Sequence, residues 1–180
     1  RHLAHEGRAQ AEGRRFWPWM ILFMVAMVGL ATARDLVLLF VFFDLTAVAS
    51  YFLIGFDRHR PEARGAAFMA LFVTGVSAVA LLFGAVLLRT EYGTFSLPEL
   101  FDRARPSPVT TTASALIAIA ALAKSAQAPL HFWLPRAMAA PTPVSAYLHS
   151  AAMVAAGVLV LGRVHPLLAL EPALLDALMV

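Results

Sequence analysis

The stretch LVLLFVFFDLTAVASYFLIGF, residues 36–56, is apolar almost throughout and carries a single charged residue, Asp44, near its middle. At about 1.5 Å of rise per residue, a helix of this length matches the ~30 Å hydrocarbon core of a bilayer. A soluble domain would need more polar surface than such a run offers. Its reading decides the class: a membrane-spanning helix with one carboxylate inside it.

The same texture repeats on both sides. Upstream, the run 16–33 opens on Trp17 and Trp19, where an interfacial aromatic belt would sit. The tight polar break Arg34-Asp35 then joins it to 36–56, so the two helices are expected to run antiparallel. Downstream, the charged loop 57–64 precedes a third span, 66–88. The long connection 89–108 holds Gly93, Pro98, Pro106 and Pro108, with a short amphipathic helix expected at 97–103. A fourth run contains Lys124 and meets Pro129 and Pro135, which predicts a broken span over 109–139. Pro141-Thr142-Pro143 introduces a fifth span, 144–161, with His149 inside it. Residues 1–15 read as a basic loop, and 164–180 as a loop followed by the start of a truncated helix. The expected fold is all-α, a polytopic transmembrane bundle of about five spans, one of them broken by proline.

Composition agrees. The chain is 61% hydrophobic and 14% charged with a mean hydropathy of +0.76, a combination rare among soluble domains. It has no cysteine, which rules out disulfides, iron–sulfur clusters and thiolate metal sites. No metal-ligand cluster, nucleotide-binding loop or nucleophile triad is visible, so neither cofactor nor catalytic centre is expected, and redox chemistry would belong to a partner. The net charge of +3 comes from arginines between the apolar runs, where they anchor helix ends. Basicity of that kind sets topology and does not mark a nucleic-acid surface. One set of loops holds Arg1, Arg8, Arg14, Arg15, Arg58, Arg60, Arg64 and Arg136; the other holds Arg34, Arg89, Arg103, Arg105 and Arg163. The excess on the first set places the N-terminal end in the cytoplasm. The basic start lacks an apolar core of its own, so no secretory signal is expected. Because the sequence opens on Arg1 and stops within an apolar segment, it is expected to be a piece of a longer protein.

Lys124 is the only lysine; the remaining cationic side chains, histidines aside, are arginines. Arginine stays protonated in proteins, whereas a desolvated lysine can release its proton. Ionised groups at mid-membrane are costly and usually face a partner or a hydrated cavity, and Asp44 is the natural partner. A switchable pair, a static ion pair locking two helices and a snorkelling lysine all fit the residues. His149 can relay protons or bond a neighbouring helix. His131, beside Pro129, can be a link or an interfacial residue. The prolines can expose backbone groups that tolerate ions and water, where Ser125, Gln127, Thr142 and Ser145 would either hold a water chain or pack helices.

The segment AKSAQAPLHFWLP, residues 123–135, followed by AMAAPTPVSAYLHS, residues 137–150, resembles the signature of the antiporter-like family of membrane subunits. LLFVFFDLT, residues 38–46, and YFLIGF, residues 51–56, resemble that family's acid-bearing helix. The family includes the large subunit of Mrp sodium/proton antiporters, the distal antiporter-like subunits of respiratory complex I (the NADH-quinone oxidoreductase) and subunits of membrane-bound hydrogenases. The wording at 131–133 and 147–150 leans towards the Mrp branch. The resemblance implies that Asp44 takes the place of the family's glutamate, Lys124 that of its broken-helix lysine and His149 that of its relay histidine. Arg136 and Ala155 depart from the usual pattern. The implied activity is proton translocation, coupled to cation antiport (H+ against Na+) or to a redox partner. The implied setting is a multisubunit assembly in a prokaryotic cell membrane, and the parent would contain two inverted repeats, of which this stretch is the first. The alternatives are a subunit of a redox assembly and, from a different class, a structural membrane scaffold with a static Asp–Lys pair.

Overall fold

The computed structural model describes residues 2–57, 60–138, 145 and 153–179, with side chains between Gly13 and Asp176. The described residues are helical apart from short connections and one isolated bridge. The helices are α1 (His2–Thr32), α2 (Leu36–Ile54), α3 (Pro61–Tyr92), α4 (Leu97–Arg103), α5 (Pro108–Lys124), α6 (Trp133–Ala137), α7 (Met153–Leu168) and α8 (Pro172–Met179), with a 3-10 turn at Leu130–Phe132.

Local chemistry sets the boundaries. Asp35 caps α2, its carboxylate accepting from the Val37 amide at 2.7 Å and the Leu38 amide at 3.3 Å. Pro61 and Pro108 open α3 and α5, where a missing N–H costs nothing. Gly93 ends α3 at φ 77°, a left-handed conformation that glycine adopts without a Cβ clash. Among the described residues, three helices are long and apolar enough to cross a membrane: Gly13–Thr32 of α1, α2 and α3. α5, with 17 residues, and the 16 described residues of α7 are also apolar.

Several boundaries correct the sequence expectation. The loop expected over 1–15 is helical from His2 onward, because alanine, arginine, glutamate and glutamine dominate there and all favour helix. α3 extends past 66–88 at both ends, and its 32 residues span about 48 Å at ~1.5 Å each, so its charged ends reach beyond the hydrocarbon. α7 runs on to Leu168 instead of stopping at 161, and a further helix, α8, follows after a short turn.

α1 packs on α2, α2 on α3, α3 on α5 and α5 on α7. Small residues allow the close approach: a Cβ on Gly84 would stand 2.8 Å from the Ala113 carbonyl oxygen, so α3 and α5 meet backbone to backbone. The two loops 34–36 and 95–97 pair through Leu36 N–H to Phe95 O at 3.0 Å and Leu97 N–H to Arg34 O at 2.9 Å. Arg163 of α7 reaches the same end, donating to the carbonyls of Ala33, at 2.8 Å, and Ala31. These are orphan acceptors at a helix C-terminus, where a cation is favoured. One end of the bundle thus gathers Arg34, Arg89 and Arg163.

The core divides in two. One cluster contains Leu30, Leu36, Leu39, Phe43, Leu81, Ile117 and Val160; the other contains Phe23, Leu53, Ile54, Ala70, Trp133 and Met153. Between them, along the chain of α2, α3 and α5, lie the buried polar residues Thr46, Thr74, Ser77, Lys124 and Ser125. The bundle therefore has a polar layer partway along its length.

Candidate functional site

Lys124 lies where α5 stops. The Gln127 amide donates to Leu122 O at 3.0 Å and the Ala126 amide to Ala123 O at 3.2 Å, the paired bonds of a Schellman cap. Ala126 holds the left-handed position at φ 52°, where glycine is usual, so the cap stores roughly 1–2 kcal/mol of backbone strain. The helix is therefore closed five residues before Pro129, and Pro135 falls in the first turn of α6, where it interrupts nothing. The break expected at Pro129 and Pro135 begins earlier, after Lys124: Pro129 lies between α5 and α6, and Pro135 lies within α6. Trp133, fully buried, folds the following segment back by donating its Nε1–H to Ala123 O at 3.0 Å.

From this position the Lys124 side chain crosses to α2 and is fully buried. Its Nζ donates to the Phe43 carbonyl at 2.5 Å and to Thr46 Oγ1 at 2.6 Å, and stands 4.1 Å from the centroid of the Phe43 ring. The Thr46 hydroxyl in turn lies 2.7 Å from the same Phe43 carbonyl. Two oxygens and an aromatic face are the partners a desolvated ammonium needs.

Asp44 is only part-buried, and among the described residues no ion pair joins it to Lys124. The amine meets the turn that carries Phe43 and Thr46, and neither of its hydrogen bonds goes to Asp44. Gln127 and His131 are exposed, and Ser145 is part-buried. His149 and Pro141-Thr142-Pro143 lie outside the described residues. Phe43, Thr46 and Trp133 are the contacts that sequence reasoning did not single out. Thr46 carried a signal, a hydroxyl shortly after the acid-bearing position in an otherwise apolar run. Nothing in the sequence distinguishes the backbone carbonyl of Phe43.

Tightly packed apolar helices that bury one lysine at a helix end define a polytopic membrane protein with a protonatable group in its interior. Residues 33–180 match the family model described as "NADH:quinone oxidoreductase/Mrp antiporter, TM", and the chain belongs to that family. It is a multi-pass membrane protein. It is 45% identical over 158 residues to a protein of Rhizobium meliloti (strain 1021) named as a probable K(+)/H(+) antiporter subunit, covering 86% of this chain and 16% of that protein. It is 42% identical over 159 residues to an Na(+)/H(+) antiporter subunit of Staphylococcus saprophyticus, covering 87% of this chain and 20% of that protein. Among solved structures, the Mrp complex from Dietzia sp. DQ12-45-1b contains a chain that matches with a TM-score of 0.72 and 40% identity, over 79% of this chain and 16% of the other. The sequence thus spans a fifth or less of the length of these relatives.

Proposed function

We propose that this stretch forms part of the proton path of a larger antiporter-like membrane protein, with Lys124 as the protonatable carrier. The observation that carries the reading is the placement of Lys124: a single lysine, fully buried between two apolar clusters, its amine turned onto the Phe43 carbonyl and the Thr46 hydroxyl. An amine can hand over its proton where a guanidinium cannot, and the arginines with described side chains are none of them fully buried. Asp44 biases the amine by its charge without contact, so a change in that charge alters Lys124 without moving a helix. His149 is the next acceptor, its imidazole able to take up and pass on a proton near neutral pH.

Proton movement is coupled to antiport of a monovalent cation. The names of the relatives, one a K+/H+ and the other an Na+/H+ antiporter component, support this coupling. The chain works within a membrane assembly of several subunits, a reading supported by its likeness to a chain of the Mrp complex. The assembly sits in a prokaryotic cell membrane with the N-terminal end of this stretch in the cytoplasm, as the arginine distribution favours. The test is cation-driven proton uptake into vesicles carrying the full-length parent complex, wild type against Lys124→Ala, with assembly followed in parallel. Uptake is expected to vanish with assembly intact; unchanged uptake would remove Lys124 from the path.

A further inference from the structure

We infer that the Thr46 hydroxyl is a positioning rotor that satisfies Lys124 in both of its protonation states. The inference rests on the preceding reading, in which Lys124 gains and loses a proton. Lys124 Nζ, Phe43 O and Thr46 Oγ1 form a closed triangle with sides of 2.5, 2.6 and 2.7 Å. A protonated amine brings three donors and no acceptor. It donates to the Phe43 carbonyl and to a Thr46 lone pair, and its third hydrogen faces the Phe43 ring. The Thr46 hydrogen then points at the Phe43 carbonyl.

Loss of one proton leaves the amine with a lone pair, and only a donor can satisfy it. A carbonyl oxygen and a ring face cannot donate; a hydroxyl can, because its hydrogen rotates freely about the Cβ–Oγ bond. Turning that hydrogen from the Phe43 carbonyl to Nζ converts Thr46 from acceptor to donor. The Phe43 carbonyl still receives an N–H from the amine. No heavy atom moves, and no buried polar group is left unpaired in either state, which matters because an unpaired one is costly in a dry interior.

Other buried hydroxyls of α2 and α3 lack this arrangement. Ser50 donates to Ala47 O, Thr74 to Ala70 O and Ser77 to Thr74 O, each within its own helix. Thr46 adds to the same kind of local bond the contact with Lys124 of α5.

Valine in place of Thr46 keeps the shape and removes only the hydroxyl, whereas serine keeps the hydroxyl and removes a methyl. The experiment measures cation-driven proton uptake by the full-length parent complex in vesicles for wild type, Thr46→Val, Thr46→Ser and Lys124→Ala at equal assembly. Thr46→Val is expected to lower the rate at least tenfold, the scale of one lost hydrogen bond to a charged donor, and Thr46→Ser to recover most of it. A packing role would give the reverse order, with valine tolerated better than serine, and would overturn the inference. If Lys124→Ala abolishes uptake while Thr46→Val runs at the wild-type rate, the rotor fails and the carrier stands. If Lys124→Ala leaves uptake intact, the carrier itself fails and the rotor with it.

Discussion

Replacing Lys124 with methionine separates a carrier from a structural lock, because the two roles imply different effects on stability. Methionine fills a similar volume with a flexible apolar chain. The change removes two hydrogen bonds from a charged donor, about 1.5–3 kcal/mol each, and at the same time abolishes the burial of an ammonium, a cost of several kcal/mol. What remains behind is paired: the Phe43 carbonyl keeps the Thr46 hydroxyl at 2.7 Å. Asp44 is part-buried and has no ion pair with Lys124 to lose, so no buried charge is stranded. The net effect on stability is expected to stay within about 1 kcal/mol, while proton transport disappears. Thermal unfolding of the full-length protein in detergent, beside proton uptake in vesicles, reads both quantities. A loss of about 3–5 kcal/mol, with transport falling only in proportion to the folded fraction, is what breaking a buried ion lock would produce and would refute the reasoning.

Asp44→Asn should lower proton uptake while leaving the unfolding midpoint nearly unchanged, since a part-buried carboxylate without an ion pair contributes little to stability; a large drop in the midpoint would show that Asp44 holds the fold. Gly157→Ala should destabilise the bundle by about 1–3 kcal/mol, because its Cβ would stand 2.8 Å from the Ser125 amide nitrogen and closer still to Ser125 Oγ and the Ala121 carbonyl; a neutral result would mean that α5 and α7 are less closely apposed. Ala126→Gly should stabilise by up to about 1 kcal/mol by relieving the left-handed alanine at φ 52°, checked by the same unfolding measurement. Trp133→Phe should cost about 1–3 kcal/mol through the lost bond to the Ala123 carbonyl, and a midpoint equal to wild type would show that this bond does not hold the turn.

The helical class was legible because the bilayer imposes its thickness on the sequence: α2 and the apolar part of α1 fall where the runs 36–56 and 16–33 lie. The ends were not legible, since hydropathy marks hydrocarbon depth and is silent on how far a helix continues into water. Residues 2–15 continue the helix with residues of good helix propensity, and Pro61–Arg64 lengthens α3 by the capping preference of proline. In the fourth run the sequence points to a break at the prolines, because proline is the strongest local signal. The chain turns earlier, at Ala126, through a left-handed alanine that no composition rule marks. Lys124 could be singled out as the lone lysine, and Asp44 as the charge opposite it. Their geometry could not, because the amine's nearest partner is a backbone carbonyl, which every residue has.

The most direct test of the central claim, that Lys124 must release its proton, is Lys124→Arg in the full-length parent complex. Arginine preserves the positive charge but stays protonated. Cation-driven proton uptake into vesicles is expected to fall to background in complexes that assemble normally. Uptake at the wild-type rate would mean that a permanently charged group serves as well, and would contradict the account.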